Sequence, residues 1–170
     1  VGGWATGVYK STDGGTNWSL ASTGLPANST INEIRLVPTY HEVNGPKTLF
    51  ATLSASGAGA IYKSTDGGSN WTNVTPSGFA SSTIDGLAIE QTCDPAAACR
   101  VAAGNQDGKV VVSHNAGTAW SAAVQVATGS NLVQALAYTP DTSDTVLFAA
   151  TSGGDGMFRS ADHGTTWTNI

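Results

Sequence analysis

Ten residues, YKSTDGGTNW, run from Tyr9 to Trp18 and recur as YKSTDGGSNW from Tyr62 to Trp71, with Thr16 against Ser69 the only difference. Two looser copies follow, SHNAGTAW from Ser113 to Trp120 and SADHGTTW from Ser160 to Trp167. The common frame is Ser-x-Asp-x-Gly-x-x-Trp, with Asn115 replacing Asp in the third copy. Its serines stand at 11, 64, 113 and 160, giving intervals of 53, 49 and 47 residues. A near-constant interval in this range marks a stacked repeat, whose units bury their apolar faces against one another. Four of the five tryptophans belong to the frame, so they are part of the repeat rather than scattered.

The segments between the boxes repeat as well. A β-prone run precedes each box (GVYKS, AIYKS, KVVVS, GMFRS), and another follows each Trp (WSLAS, WTNVT, WSAAVQV, WTNI). Two further runs recur: INEIRLVPT, IDGLAIEQT and LVQALAYTP, then KTLFATLS, CRVAAGN and DTVLFAATS. Each is of strand length and bounded by Gly, Pro, Asn, Asp or Ser. None carries a sustained 3.6-residue apolar period, so almost no helix is expected.

The unit is therefore four strands, A to D, and a four-stranded antiparallel unit of this length is the blade of a β-propeller. The fold expected is all-β, with about three and a half blades. Residues 1–22 supply a half blade (strands C and D), and complete blades follow over 30–75, 83–126 and 131–170. A plain sandwich gives no reason for so regular a period. Propellers typically close with about four to eight blades. The chain thus reads as part of a longer propeller, whose other blades lie in a longer parent chain, or as an open module with exposed edges.

The frame Ser-x-Asp-x-Gly-x-x-Trp resembles the Asp-box, or BNR repeat, of sialidases, xyloglucan-cleaving glycoside hydrolases, sortilin-type receptors and photosystem II assembly factors. The resemblance extends over essentially the whole chain and implies a turn joining strands C and D of each blade. The structural set is Ser11, Asp13, Gly15 and Trp18; Ser64, Asp66, Gly68 and Trp71; Ser113, Asn115, Gly117 and Trp120; and Ser160, Asp162, Gly164 and Trp167. Glycines (Gly14 and Gly67 as well) meet backbone angles that a Cβ obstructs. Asp accepts hydrogen bonds from turn amides, Ser ties the other side of the turn, and each Trp is expected to bury a large apolar area with one polar handle.

Composition narrows the partners. The 170 residues are 40% apolar and only 11% charged, with 12 Asp and Glu against 7 Lys and Arg. Such a chain folds, and it offers no basic run to neutralise phosphates, so no nucleic-acid partner is expected. No apolar run reaches the roughly 20 residues of a membrane span. Cys93 and Cys99 in CDPAAAC read as a short disulfide closed around Pro95, which points to an oxidising compartment and a secreted or extracytoplasmic protein. The alternative is two reduced thiols at a strand end. No metal or cofactor is expected, because no second ligand pair lies at metal spacing.

The aspartates recur from box to box, with Asn115 standing in for one in the third, and the resembling families carry these boxes at the blade periphery, away from catalysis. In a propeller, D–A and B–C loops share the face that usually holds ligands. There the chain places the Gly-rich loops SASGAGA, GNQDGK and SGGDG, with Asp107 and Asp155, and the aligned strand-A residues Asn32, Asp85 and Gln134. Asp85, Asp107 and Asp155 are the candidate acids, since a carboxylate pair can hydrolyse a glycosidic bond; the alternative is ordinary turn chemistry. Arg35, Arg100 and Arg159 show no sign of forming the arginine triad that sialidase chemistry needs. GxSxG is absent, and His41, His114 and His163 have no nucleophile partner in the pattern. Sequons at Asn17, Asn28, Asn70 and Asn73 follow partly from the repeat. The expected function is a scaffold or recognition module for a polysaccharide or protein ligand, the alternative a fragment of a secreted, xyloglucanase-like glycoside hydrolase. A sortilin-type receptor would add Cys-rich modules.

Overall fold

Strand formation follows the apolar runs. A computed structural model describes residues 7–42, 45, 47–79, 83–93, 99–128, 131–140 and 146–170. The half blade is the hairpin of β1 (Tyr9–Lys10) and β2 (Ser19–Leu20). The second blade is β3 (Thr30–Leu36), β4 (Leu49–Ala55), β5 (Ala58–Ser64) and β6 (Thr72–Asn73), in that spatial order. The third is β7 (Ile84–Ile89), β8 (Val101–Asn105), β9 (Lys109–Ser113) and β10 (Val124–Gln125). The fourth is β11 (Val133–Tyr138), β12 (Leu147–Thr151), β13 (Met157–Ser160) and β14 (Thr168–Asn169). All neighbouring strands are antiparallel. The fold is an all-β propeller arrangement, and its one helical piece among the described residues is a 3-10 turn, Pro38–His41. No described helix is long and apolar enough to cross a membrane.

The core lies between blades rather than within one. One cluster joins Val8 and Ala21 of the half blade to Leu49, Ala51, Leu53, Tyr62 and Trp71 of the second blade. A second joins Val37, Phe50 and Ile61 to Ile84, Leu87, Val101 and Val111. A third joins Val110 and Val112 to Val133, Leu136 and Leu147. Each fully buried Val, Leu, Ile or Phe contributes about 1.5–3 kcal/mol. Enclosure explains the continuous apolar strands: β8, with a blade on either side, is buried at all its positions, whereas β12, with one neighbour, is not. Gly104 of β8 is tight for the same reason, since a Cβ there would lie 2.7 Å from Val133 Cβ.

The third blade departs from the expected pattern after its box. In the second and fourth blades the last strand starts one residue after the Trp, but β10 starts at Val124, beyond the three residues Ser121, Ala122 and Ala123. Ser121 keeps the usual start, its N–H donating to Val112 O at 2.8 Å, and the chain then steps outward before pairing again with Val110.

Candidate functional site

The four boxes fold into one turn. In each, the Ser hydroxyl oxygen accepts the N–H of the glycine four residues on: Gly15, Gly68, Gly117 and Gly164, at 2.8, 2.9, 2.8 and 2.8 Å. The same hydroxyl donates to Asp13, Asp66, Asn115 or Asp162. The Oδ1 of that residue accepts a turn amide, from Asn17, Asn70, Ala119 or Thr166. The second oxygen of each Asp accepts from the side chain of Asn17, Asn70 or Thr166. These bonds favour the charged form and hold Asp13, Asp66 and Asp162 down at about 2. A carboxylate fixed in this way is a turn clamp and a poor proton donor. The glycines at the fifth position of the frame, Gly15, Gly68, Gly117 and Gly164, all have φ between 77 and 93°, a region that a Cβ disfavours. One residue earlier, where φ is smaller, Ala116 at 53° and His163 at 59° replace Gly14 and Gly67.

The boxes share an end with the A–B loops. Gly67 N–H donates to Lys47 O, and Ala116 N–H to Cys99 O, each at 2.9 Å. Cys99 is bonded to Cys93, so a disulfide tethers this end of the third blade; the intervening loop with Pro95 lies outside the described residues. The expected burial of all four tryptophans needs correction. Trp71 is 4% exposed but Trp18 is 62% exposed, because no described sheet precedes the half blade. Trp120 is half-buried, and its buried Nε1 has no partner.

The opposite end gathers the polar residues aligned from the sequence. Gln106 N–H donates to Thr83 O, and Ser152 N–H to Leu132 O, tying B–C turns to the strand-A entrances. Each strand A carries a bulge at its aligned polar position. Ile31 and Glu33 pair with the adjacent residues Leu53 and Thr52, which leaves Asn32 as the extra residue. Asp85, between Ile84 and Gly86, and Gln134, between Val133 and Ala135, stand in the same position. A bulge frees one residue from the ladder and re-aims its side chain. The sequence alone did not expose these bulges, because an extra residue is defined only against the strand opposite.

The three bulge residues differ in engagement. Asn32 Nδ2 donates to Ile84 O at 2.9 Å and so ties the second blade to the third. Asp85 is half-buried, and burial raises its pKa; Gln134 is exposed. Asp107 sits in the turn after β8, at the same end as Asp85, since Ile84 pairs with Asn105; its N–H donates to Asn105 Oδ1 at 3.1 Å. Asp155 belongs to the next blade. Its oxygens accept from Thr128 N–H at 2.6 Å and Thr128 Oγ1 at 2.9 Å, and the Asn131 amide, then Thr128, lower its pKa. Arg35 pairs with Glu33 at 2.5 Å and Arg100 with the buried Glu90 at 2.7 Å, while Arg159 is exposed on β13.

A cavity of about 480 Å³ opens along the inner strands, away from the bulges. Ile34, Leu36, Leu87, Ile89, Leu136 and Tyr138 line it, at aligned positions of β3, β7 and β11. The runs are visible in the sequence, but their convergence requires three blades to be set side by side.

Comparison with known proteins agrees with this architecture. A model of the BNR/Asp-box repeat matches residues 9–20. No curated protein matches the chain. Among solved structures, the GH74 enzyme of Niastella koreensis superposes with a TM-score of 0.62 at 22% identity, over 82% of this chain and 22% of its own. The GH74 xyloglucanase of Xanthomonas campestris gives 0.59 at 18% identity, over 96% of this chain and 22% of its own. YCF48 from Cyanidioschyzon merolae gives 0.60 at 21% identity, over 95% of this chain and 49% of its own. At these identities the likeness is one of fold, and this chain spans about a fifth to a half of each. The chain thus carries a segment that matches the BNR/Asp-box repeat, residues 9–20, within a β-propeller fold.

Proposed function

We propose that this propeller module is non-catalytic: an extracytoplasmic scaffold that recognises a glycan or a protein through the end carrying the bulges and B–C turns. The observation that carries this reading is the engagement of its carboxylates. Asp13, Asp66 and Asp162 are clamped in turns, and Asp155 is bound by Thr128 and Asn131. Asp85 and Gln134 remain as polar groups lifted out of the ladder by bulges, suited to hydrogen-bond a sugar or a peptide backbone. The Cys93–Cys99 bond supports an oxidising compartment. The blades missing from a closed ring are proposed to come from further polypeptide.

One observation favours the second reading, a part of a β-glucan-cleaving glycoside hydrolase. Asp85 is half-buried with a raised pKa, as a general acid requires, and Asp107 lies at the same end of the blade. Affinity electrophoresis on xyloglucan and other soluble β-glucans, with a reducing-sugar assay on the same samples, tests both. Retarded migration without sugar release, weakened by Asp85→Asn together with Gln134→Ala, is the expected result for a glycan ligand. Sugar release that disappears in Asp85→Asn would replace this reading with the hydrolase.

A further inference from the structure

The bulges of β3, β7 and β11 stand at one level on three successive blades. Between the second and third blades this level is tied. Asn32, the extra residue of β3, donates Nδ2–H to Ile84 O at 2.9 Å, and Ile84 is the residue immediately before the next bulge. Between the third and fourth blades the positions correspond one for one. Asp85 takes the place of Asn32, and Val133, immediately before Gln134, takes the place of Ile84. Val133 O lies against this stretch of β7, since a Cβ on Gly86, the residue after Asp85, would be 3.4 Å from it. The third blade packs on a blade at either side, so both joints are internal to the chain.

The two joints differ in donor chemistry. An amide donates through its NH2, whereas an ionised carboxylate only accepts. Ionised Asp85 therefore presents an acceptor to an acceptor and cannot make the bond that Asn32 makes. Among the described residues no group donates to its carboxylate either. A half-buried carboxylate without a donor is costly, and burial raises its pKa above the ordinary carboxylate value. The titratable and charged groups at this end of the surrounding elements are Asp107 and Lys109 of the same blade, Glu33 on β3, which pairs with Arg35, and Asp155 of the fourth blade, bound by Thr128.

We infer that Asp85 is a proton-operated latch between the third and fourth blades: with a proton its carboxyl O–H donates to Val133 O, as Asn32 donates to Ile84 O, and without one the tie is open. The bond contributes stability at acid pH and loses it as pH rises through the raised pKa of Asp85. Under the recognition role proposed above, on which this consequence rests, only the ionised form is free to accept from a ligand, so acid withdraws Asp85 from the recognition end.

Nuclear magnetic resonance of the isotope-labelled chain reads both joints together, through the backbone carbonyl carbons of Ile84 and Val133 between about pH 8 and about pH 4. No ligand enters the measurement, so its outcome is separate from that of the β-glucan experiment. A carbonyl carbon moves downfield as it accepts a stronger hydrogen bond. Val133 is expected to move downfield in step with protonation of the Asp85 carboxyl, while Ile84, served by an amide, stays fixed. Asp85→Asn should hold Val133 at its acid position at every pH, and Asn32→Asp should transfer the titration to Ile84. Asp85→Ala removes charge and donor together and should leave Val133 at its alkaline position. Asp85→Asn should also raise the folding equilibrium constant by about tenfold at the alkaline end, the worth of one bond, with the gain shrinking towards acid. A Val133 carbonyl that does not titrate with Asp85 overturns the inference. So does Asp85→Ala with Val133 at the acid position, where loss of charge alone would put it, or a stability gain in Asp85→Asn that is the same at both ends of the pH range.

Discussion

Tyr9–Trp18 and Tyr62–Trp71 are nearly the same peptide in two settings. Both make the same turn: hydroxyl to glycine amide, hydroxyl to carboxylate, carboxylate to the Asn amide. They part at the tryptophan. Trp18 donates to Gly15 O in its own turn and is 62% exposed, whereas Trp71 donates to Ala21 O in the neighbouring sheet and is 4% exposed. Turn geometry is therefore a local property of the ten residues, and burial is a property of the blade alongside. The indole is a connector between blades more than a part of the turn.

The largest separation between the two settings is expected on truncating the indole. Trp71→Ala should lose about 3–5 kcal/mol of stability, the usual cost of emptying an aromatic site. Trp18→Ala should stay within about 0.5 kcal/mol, as surface changes do. Urea unfolding followed by circular dichroism measures both, and equal losses would show that the indole acts inside its own turn.

Glycine replacement sharpens the comparison at a smaller scale. Gly15 and Gly164 have similar φ, 93 and 87°. A Cβ at Gly15 meets only Trp18, at 3.9 Å, whereas one at Gly164 comes within 2.6 Å of Val112 Cγ2 in the preceding blade. Gly15→Ala should cost about 1–2 kcal/mol for the left-handed backbone alone. Gly164→Ala should cost about 2–4 kcal/mol, because overpacking adds to it. The same unfolding experiment reads the difference, and a larger loss at Gly15 would contradict the assignment of the blade contact.

The smallest effect is common to the boxes. Asp13, Asp66 and Asp162 stand at about 2 in the folded chain, against about 4 for an unfolded Asp. Lowered carboxylates stabilise the fold fully above about pH 4, and that contribution disappears as pH falls towards about 2. The urea midpoint should therefore drop over this window. Replacing all three by Asn should flatten the drop, since Asn115 already accepts both the Ser113 hydroxyl and the Ala119 amide. An unaltered acid limb in the triple variant would mean that other carboxylates control it.

The frame, its interval and the strand-length runs made the blades legible in the sequence, because turn chemistry and apolar runs are written in adjacent residues. The outward step at Ser121–Ala123 was not legible, since WSAAVQV is apolar enough to read as one strand. Asn32, Asp85 and Gln134 aligned in the sequence, but only the facing strands revealed that each sits on a bulge. Asp155 read either as a candidate acid or as ordinary turn chemistry in a glycine-rich loop, and its partners Thr128 and Asn131 come from the preceding linker.

By itself the sequence determined the turn at each box, down to the residue that holds each amide, because a hydrogen-bonded loop of eight residues closes on its own side chains. It also determined that these turns recur at blade spacing. The tertiary structure alone decided which tryptophan is buried and how Asp155 is engaged. The first rests on Ala21, 50 residues before Trp71, and the second on Thr128, 27 residues before Asp155, partners reached only when one blade packs against the next.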